Sequence, residues 1–183
     1  PSSNLGWACG GGLILKYEEI WFQQDPPLEG YNSIFMIDDT IGWAVGSAGV
    51  ILKTENGGDS GQWNYQTNPD ISRDLNDVFF LNKNEGWTAG SSGVILHTTN
   101  GGLDWNIILD GWTTNMLRSV QFTSSTNGYI LGNNKTLFKY GLLTDVEEQP
   151  TQPTKFKLEQ NYPNPFNPST KIKFTIPTPP SSS

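Results

Sequence analysis

Asp70, Asp74 and Asp77 follow one another at intervals of four and three residues, and Asp38 and Asp39 are adjacent. Carboxylates grouped in this way are the raw material of a cation site or of paired acid–base chemistry. Both groups lie in polar, turn-forming sequence, and a charged, solvated turn accounts for them without either. His97 stands alone on a strand where parallel positions hold Lys16, Lys53 and Lys139, so it is read as an exposed polar position rather than a general base. The single cysteine, Cys9, follows Ala8 at an apolar position and is read as a small buried residue; one cysteine excludes an internal disulfide and a cysteine metal cluster. No catalytic residue, metal or cofactor is assigned, and an enzyme is not expected.

Recognition chemistry has more candidates. Tyr65 and Trp112 present rings that could stack on a sugar, with packing the reading preferred for either, and Asp70, Arg73 and Arg118 are charged groups in or beside inter-strand loops. The loops nominated are Asn68–Arg73 and Trp112–Met116, with the glycine turns Ser47–Gly49 and Ser91–Gly93. Formal charge is −7, from 11 basic and 18 acidic side chains, which speaks against nucleic acid or an anionic membrane as partner. No apolar run approaches the ~20 residues of a membrane-spanning helix.

The elements that position these residues are repeats. Gly6-Trp7, Gly42-Trp43, Gly86-Trp87 and Gly128-Tyr129 recur at spacings of 36, 44 and 42 residues. The last three pairs follow matching strands, Tyr31-x-x-Ile34-x-Met36, Leu75-x-x-Val78-x-Phe80 and Leu117-x-x-Val120-x-Phe122. Gly46, Gly90 and Gly132 come next, and then Val50-Ile51-Leu52, Val94-Ile95-Leu96 and Thr136-Leu137-Phe138. A full copy predicts four short antiparallel strands, for instance Leu75–Leu81, Trp87–Ala89, Val94–Thr98 and Trp105–Leu109, the pattern of a β-propeller blade. Such blades bury their faces only by stacking, and Trp43, Trp87 and Tyr129 are expected to fill the wedges, with Trp7 at the exposed end.

Thr98-x-Asn100-x-Gly102-x-x-Trp105 matches the Asp-box pattern, Ser/Thr-x-Asp-x-Gly-x-x-Trp, with Asn for Asp. Thr54-x-Asn56-x-Gly58 repeats it, but Trp63 arrives two residues late, so residues 59–62 are expected to bulge. A calcium or ligand loop is one reading of these boxes. Closure of the loop by its own side-chain hydrogen bonds is the reading adopted, with Thr54, Asn56, Gly58, Trp63, Thr98, Asn100, Gly102 and Trp105 as structural residues. The first copy has lost its box, and the fourth leaves at Tyr140-Gly141 before one appears.

Taken together, these motifs over residues 1–141 resemble the photosystem II assembly and stability factor family, within the wider Asp-box (BNR, sialidase-type) repeat proteins. The resemblance implies an all-β fold, a propeller of four-stranded antiparallel blades. Its members close with about seven blades, so an open arc of about three to four is expected, within a fragment or processed product that starts at Pro1. Photosynthetic members are assigned an assembly role that relies on an arginine-rich surface, whereas Arg73 and Arg118 are the only arginines here. Two arginines cannot form the sialidase triad either.

Residues 142–183 contain no Gly or Trp but eight of the 12 prolines. Residues 142–154 read as a polar extended linker. Residues 155–177 hold Leu158, then Gln160-Asn161-Tyr162-Pro163-Asn164-Pro165-Phe166-Asn167-Pro168, then a strand alternating at Ile172, Phe174 and Ile176. This segment resembles the opening of the type A C-terminal sorting domain of the type IX secretion system, which implies a small β-sandwich and partnership with the secretion machinery. Residues 178–183 read as a disordered tail. The sequence therefore points to a protein exported through the periplasm to the bacterial surface or beyond, recognising a protein or polysaccharide without catalysis. The alternatives are a fragment of a secreted Asp-box glycoside hydrolase and an assembly or stability factor for a membrane protein complex.

Overall fold

The computed structural model describes residues 4–27, 29–69, 72–141, 157–158 and 174–175. The chain divides into two units, Pro1–Leu142 and Leu143–Ser183. In the first, fourteen strands form four antiparallel sheets. The first sheet is β1 (Leu5–Gly10), β2 (Leu13–Glu18) and β3 (Ile20–Gln23). The second is β4 (Tyr31–Met36), β5 (Gly42–Gly46), β6 (Ile51–Thr54) and β7 (Asn64–Tyr65). The third is β8 (Leu75–Phe80), β9 (Gly86–Gly90), β10 (Ile95–Thr98) and β11 (Asn106–Leu109), and the fourth is β12 (Leu117–Ser124), β13 (Asn127–Gly132) and β14 (Leu137–Gly141).

In each sheet the strands pair in chain order. Strand β4 neighbours β8 and β8 neighbours β12, so the leading strands converge on an inner rim and the last strands lie outermost. This is the blade arrangement of a propeller, and the sheets are called blades below. Each strand is cut to length by its sequence: an alternating apolar face, then a turn in which the chain reverses. The turn Asp59–Gly61 takes up the two extra residues before Trp63, which is still only 3 % exposed.

Glycines in the Gly-aromatic pairs have a packing cause. A Cβ on Gly86 would lie 2.6 Å from the Phe80 ring, and one on Gly128 would lie 2.5 Å from Phe122. The last apolar side chain of the leading strand lies flat over the glycine beside it. That ring is then presented to the preceding blade, where Trp43 stacks on Phe80 at 3.5 Å and 9°, and Trp87 stacks on Phe122 at 3.6 Å and 8°. Both indoles are 0 % exposed. Burying an indole stabilises by roughly 4–6 kcal/mol from area alone, before the stacking contribution.

Three apolar clusters fill the gaps between blades. Ile14, Tyr31, Ala44, Val50, Leu52 and Trp63 join the first two blades. Trp43, Val45, Ile51, Leu75, Val78, Phe80, Val94, Leu96 and Trp105 join the second and third, and Trp87, Ala89, Ile95, Leu117, Val120, Phe122 and Ile130 the third and fourth. The expected order of the rings is corrected here. Each indole faces the next blade, so Trp7 is covered by the second blade, whereas Tyr129 looks out from the last and is 44 % exposed.

In the second unit β15 (Lys157–Leu158) pairs antiparallel with β16 (Phe174–Thr175). Leu158 and Phe174 are opposite one another in this pair. The linker 142–154, the motif from Gln160 to Pro168 and the tail 178–183 lie outside the described residues.

Candidate functional site

The two Asp-box loops are closed by their own side chains. The Thr98 hydroxyl donates to Asn100 Oδ1 at 3.0 Å and accepts from the Gly102 N–H at 3.0 Å; Asn100 Oδ1 also accepts from the Asp104 N–H at 3.0 Å. Thr54 makes the same pair of bonds to Asn56 and Gly58, at 3.0 and 2.7 Å, while Asn56 Nδ2 donates to the Asp59 carbonyl at 3.1 Å. Each loop then offers one carbonyl backwards along the arc. Trp7 Nε1 donates to Gly57 O at 3.0 Å and Trp43 Nε1 to Gly101 O at 3.1 Å. Lysine completes the arrangement: Lys16 pairs with Glu18 and with Asp59 of the next blade, both at 2.6 Å, and Lys53 pairs with Glu55 at 2.8 Å. Burial works to lower the Lys16 pKa, but hydrogen bonds to Asp59 and Glu18 outweigh it and hold the ammonium charged.

The grouped carboxylates also serve the frame. Asp38 accepts from the Thr40 and Ile41 N–H groups and pairs with Lys83 of the next blade at 2.7 Å. Lys83 and then the two backbone N–H groups hold its carboxyl well below the usual range. Asp74 accepts the Ala48 N–H at 3.0 Å, and Asp77 takes the Ser33 hydroxyl at 2.8 Å and the Val120 N–H at 2.9 Å. Asp70 lies outside the described residues. Cys9 is half-buried, and burial raises its thiol pKa to about 11.

The nominated recognition residues do not converge. Tyr65 is exposed on β7 and donates to Glu29 at 3.1 Å. Arg73 is paired with Asp110, and Arg118 Nε donates to Asn133 Oδ1 at 3.1 Å from β12. The turns Ser47–Gly49 and Ser91–Gly93 are packed inward at Gly49 and Gly93. His97 is corrected: its ring stacks on Trp87 at 4.7 Å and 14°, its side chain is 19 % exposed, and Nε2 lies 3.4 Å from Glu85. The polar position of this strand faces the gap between blades in each of the first three copies, as Lys16 and Lys53 do over Trp7 and Trp43.

Trp112 stands apart, 80 % exposed and at the lip of a groove of about 220 Å³. Ile95, Ile108 and Leu109 of the third blade form one wall; Ile130, Phe138 and Tyr140 of the fourth form the other. The groove runs beside β14, whose outer edge carries no further strand among the described residues. An apolar groove along a free strand edge can take up an extended segment by main-chain pairing, with one side chain seated between the blades. Of its lining, the sequence reading singled out Trp112 alone. The signal for the rest was Ile108, which replaces the polar Gln24 and Gln66 of the two preceding blades in the same register. Two further hollows are less apolar, the first mixed and the second mainly polar. One, of about 660 Å³, opens at Asn4, Tyr17 and Glu18 of the first blade, and one of about 340 Å³ lies between Thr67–Pro69 and the second box loop.

Residues 16–113, more than half of the chain, match the family model described as photosynthesis system II assembly factor YCF48. Two solved structures are similar. YCF48 from Cyanidioschyzon merolae superposes with a TM-score of 0.62 at 19 % identity, over 72 % of this chain and 45 % of that one. A structure described as YCF48 bound to D1 peptide superposes with a TM-score of 0.54 at 21 % identity, over 76 % of this chain and 41 % of that one. At such identities the likeness is one of fold, and the chain spans less than half the length of either structure. No curated protein matches the sequence.

Proposed function

The chain belongs to the photosynthesis system II assembly factor YCF48 family, and on that premise we propose that it is a non-catalytic module that holds an extended segment of a protein partner, as an assembly or stability factor does. The groove between the third and fourth blades, with the free edge of β14, carries this reading. One of the similar structures is described as bound to a peptide, which supports a protein partner over a polysaccharide. The groove lining agrees in being apolar, with Ile95, Ile108, Leu109 and Ile130 beside the rings of Trp112, Phe138 and Tyr140, a surface suited to the side chains of a peptide. A hydrolase is disfavoured because Asp38, Asp74 and Asp77 are each held by N–H or hydroxyl donors of the frame. Recognition through a basic patch is disfavoured too, since Arg73 and Arg118 are already engaged.

The test is to present the full chain with an array of tiled peptides from the exposed termini and loops of membrane proteins. Discrete peptides should be retained and should be lost with Trp112→Ala. Release of reducing sugar from a polysaccharide, abolished by one carboxylate substitution, would overturn the reading.

The proposal has a second part, the address. The segment from Leu158 to Pro168 supports export through a type IX sorting signal to the cell surface, where the module would meet its partner. Residues 142–183 fused to a reporter, in a bacterium that has this secretion system, should carry the reporter to the surface. A reporter retained inside the cell would remove this part and leave the first intact.

A further inference from the structure

Asparagine is followed by glycine at three places, Asn56-Gly57, Asn100-Gly101 and Asn127-Gly128. Such a pair can react with itself. Asparagine is thermolabile, and glycine has no Cβ to keep its nitrogen away from the preceding carbamoyl carbon. In the two box loops the fold requires that glycine. Gly57 and Gly101 have φ of 74° and 73°. A Cβ there would lie 2.6 Å from the Asp39 carbonyl oxygen and 2.8 Å from that of Lys83. The asparagine is used as a donor as well as an acceptor. Asn56 Nδ2 donates to the Asp59 carbonyl at 3.1 Å and to Gln62 Oε1 at 3.2 Å, and Asn100 Nδ2 to Asp104 Oδ2 at 2.9 Å. A carboxylate has no N–H with which to make these bonds.

Both halves of each reactive pair are held in the closed loop. The nucleophile is occupied: the Gly57 N–H donates to the Thr40 carbonyl at 2.7 Å and the Gly101 N–H to that of Asn84 at 2.8 Å. Both glycines are buried. The carbamoyl group is pinned at its other end too, since Oδ1 of Asn56 and of Asn100 accepts from the Thr54 and Thr98 hydroxyls, each at 3.0 Å. From the preceding blade, Trp7 and Trp43 hold the two glycine carbonyls.

We propose that Asn56 and Asn100 are latent deamidation sites, inert while the box is closed and released when a blade boundary opens locally. In the opened loop the glycine nitrogen loses its proton to solvent base and bonds to the asparagine Cγ. The Cγ–Nδ2 bond breaks, and Nδ2 leaves as ammonia, having gained one proton. Water then opens the cyclic imide at one carbonyl or the other, giving aspartate or isoaspartate. One water is consumed and one ammonia released. Neither product can remake the Nδ2 bonds, and at Asn100 the new carboxylate would confront that of Asp104. A passing opening is thereby converted into a lasting one.

The test is to hold the full chain at mildly alkaline pH, in buffer and in denaturant, and to follow its peptides for the amide-to-acid mass gain and for isoaspartate. In denaturant the three pairs should react at comparable rates. In buffer Asn56 and Asn100 should be about tenfold slower or more. Thr98→Val frees the Asn100 carbamoyl and should speed reaction there about five- to thirtyfold, with Asn56 unchanged. Thr54→Val should do the reverse, and Thr98→Ser should keep the native rate. Should Thr98→Val not stay folded, Trp43→Phe releases the Gly101 carbonyl and should speed Asn100 without Asn56. Equal rates in buffer and denaturant would overturn the proposal, as would acceleration of all three pairs alike in a folded variant. Aspartate without isoaspartate would also overturn it, because direct hydrolysis and not attack by glycine leaves that product alone.

Discussion

The boundary between the second and third blades and that between the third and fourth are built on one plan and finished differently. Both have an indole stacked on a phenyl ring, at 3.5 and 3.6 Å. At the first, the indole N–H is taken by Gly101, Lys53 lies over the Trp43 ring, and Trp105 fills the outer socket. At the second, the N–H is unclaimed, His97 stands in for lysine, and the socket is open. The ring stack, with the apolar cluster around it, joins two blades without a box loop, and where the loop is present it adds the outer seal. Where no box loop follows among the described residues, the same plan leaves an apolar groove.

Removing the rings tests the shared part. Trp43→Ala and Trp87→Ala should each destabilise the chain by about 3–5 kcal/mol in denaturant unfolding, with Trp43 the costlier. Comparable losses of well under 1 kcal/mol would show that the stacks do not hold the blades. Removing only the indole N–H tests the difference. Trp43→Phe should cost about 1 kcal/mol more than Trp87→Phe, because it leaves the Gly101 carbonyl unpaired. Equal costs would erase the contrast between the two boundaries. Thr98→Val opens the box loop that seals the first boundary and leaves the Gly102 N–H without an acceptor. About 1–2 kcal/mol should be lost, with faster amide exchange at Gly102 as the local sign.

Acid provides a smaller test. Asp38 and Asn82 close the same turn in the second and third blades, each accepting two backbone N–H groups. The folded pKa of Asp38 is lowered, so its contribution is full above the ordinary carboxyl pKa and is lost as pH falls from there toward the folded value. Asp38→Asn should flatten the stability profile below about pH 4 by less than about 1 kcal/mol, since its pair with Lys83 is exposed. An unchanged acid limb would show that this turn is not where the chain senses acid. Smallest of all, Ala48 and Ser92 adopt φ of 53° and 56° in matching turns. Glycine at either should stabilise by up to about 0.5 kcal/mol, and equally, since both boundaries share the turn.

Much of this was legible in the sequence, for a definite reason. Gly-Trp, the strand before it and the Val-Ile-Leu run repeat because each blade poses the same packing problem, so register alone locates the strands to within a residue or two. Register does not say which way the copies face. That is why Trp7 was placed at the open end and Tyr129 in a wedge, the reverse of what the stacking direction gives. His97 misled in the same way, since alternation marks its face without revealing that the next blade covers it. Ile130 and Phe138 alternate like any strand residues, and only Ile108, apolar where Gln24 and Gln66 are polar, hints in the sequence that the space beside them is open. The acids and arginines were legible as residues but not as partners, because pairs such as Asp38–Lys83, Arg73–Asp110 and Asp77 with Ser33 join points about one blade apart in sequence.

Adjacent blades are also fastened along the inner rim, where Asn32 Nδ2 donates to the Leu75 carbonyl at 2.9 Å and Asn76 Nδ2 to the Leu117 carbonyl at 2.7 Å. Like the indole bonds to Gly57 and Gly101, these fasteners end on main chain, whatever side chain the receiving residue carries. Through these bonds a blade recognises the path of its neighbour, while the ring stacks and the pairs made by Lys16, Lys83 and Asp77 depend on the neighbour's side chains. Such a joint lets copies drift apart in sequence, or be gained and lost during evolution, without a matching change next door.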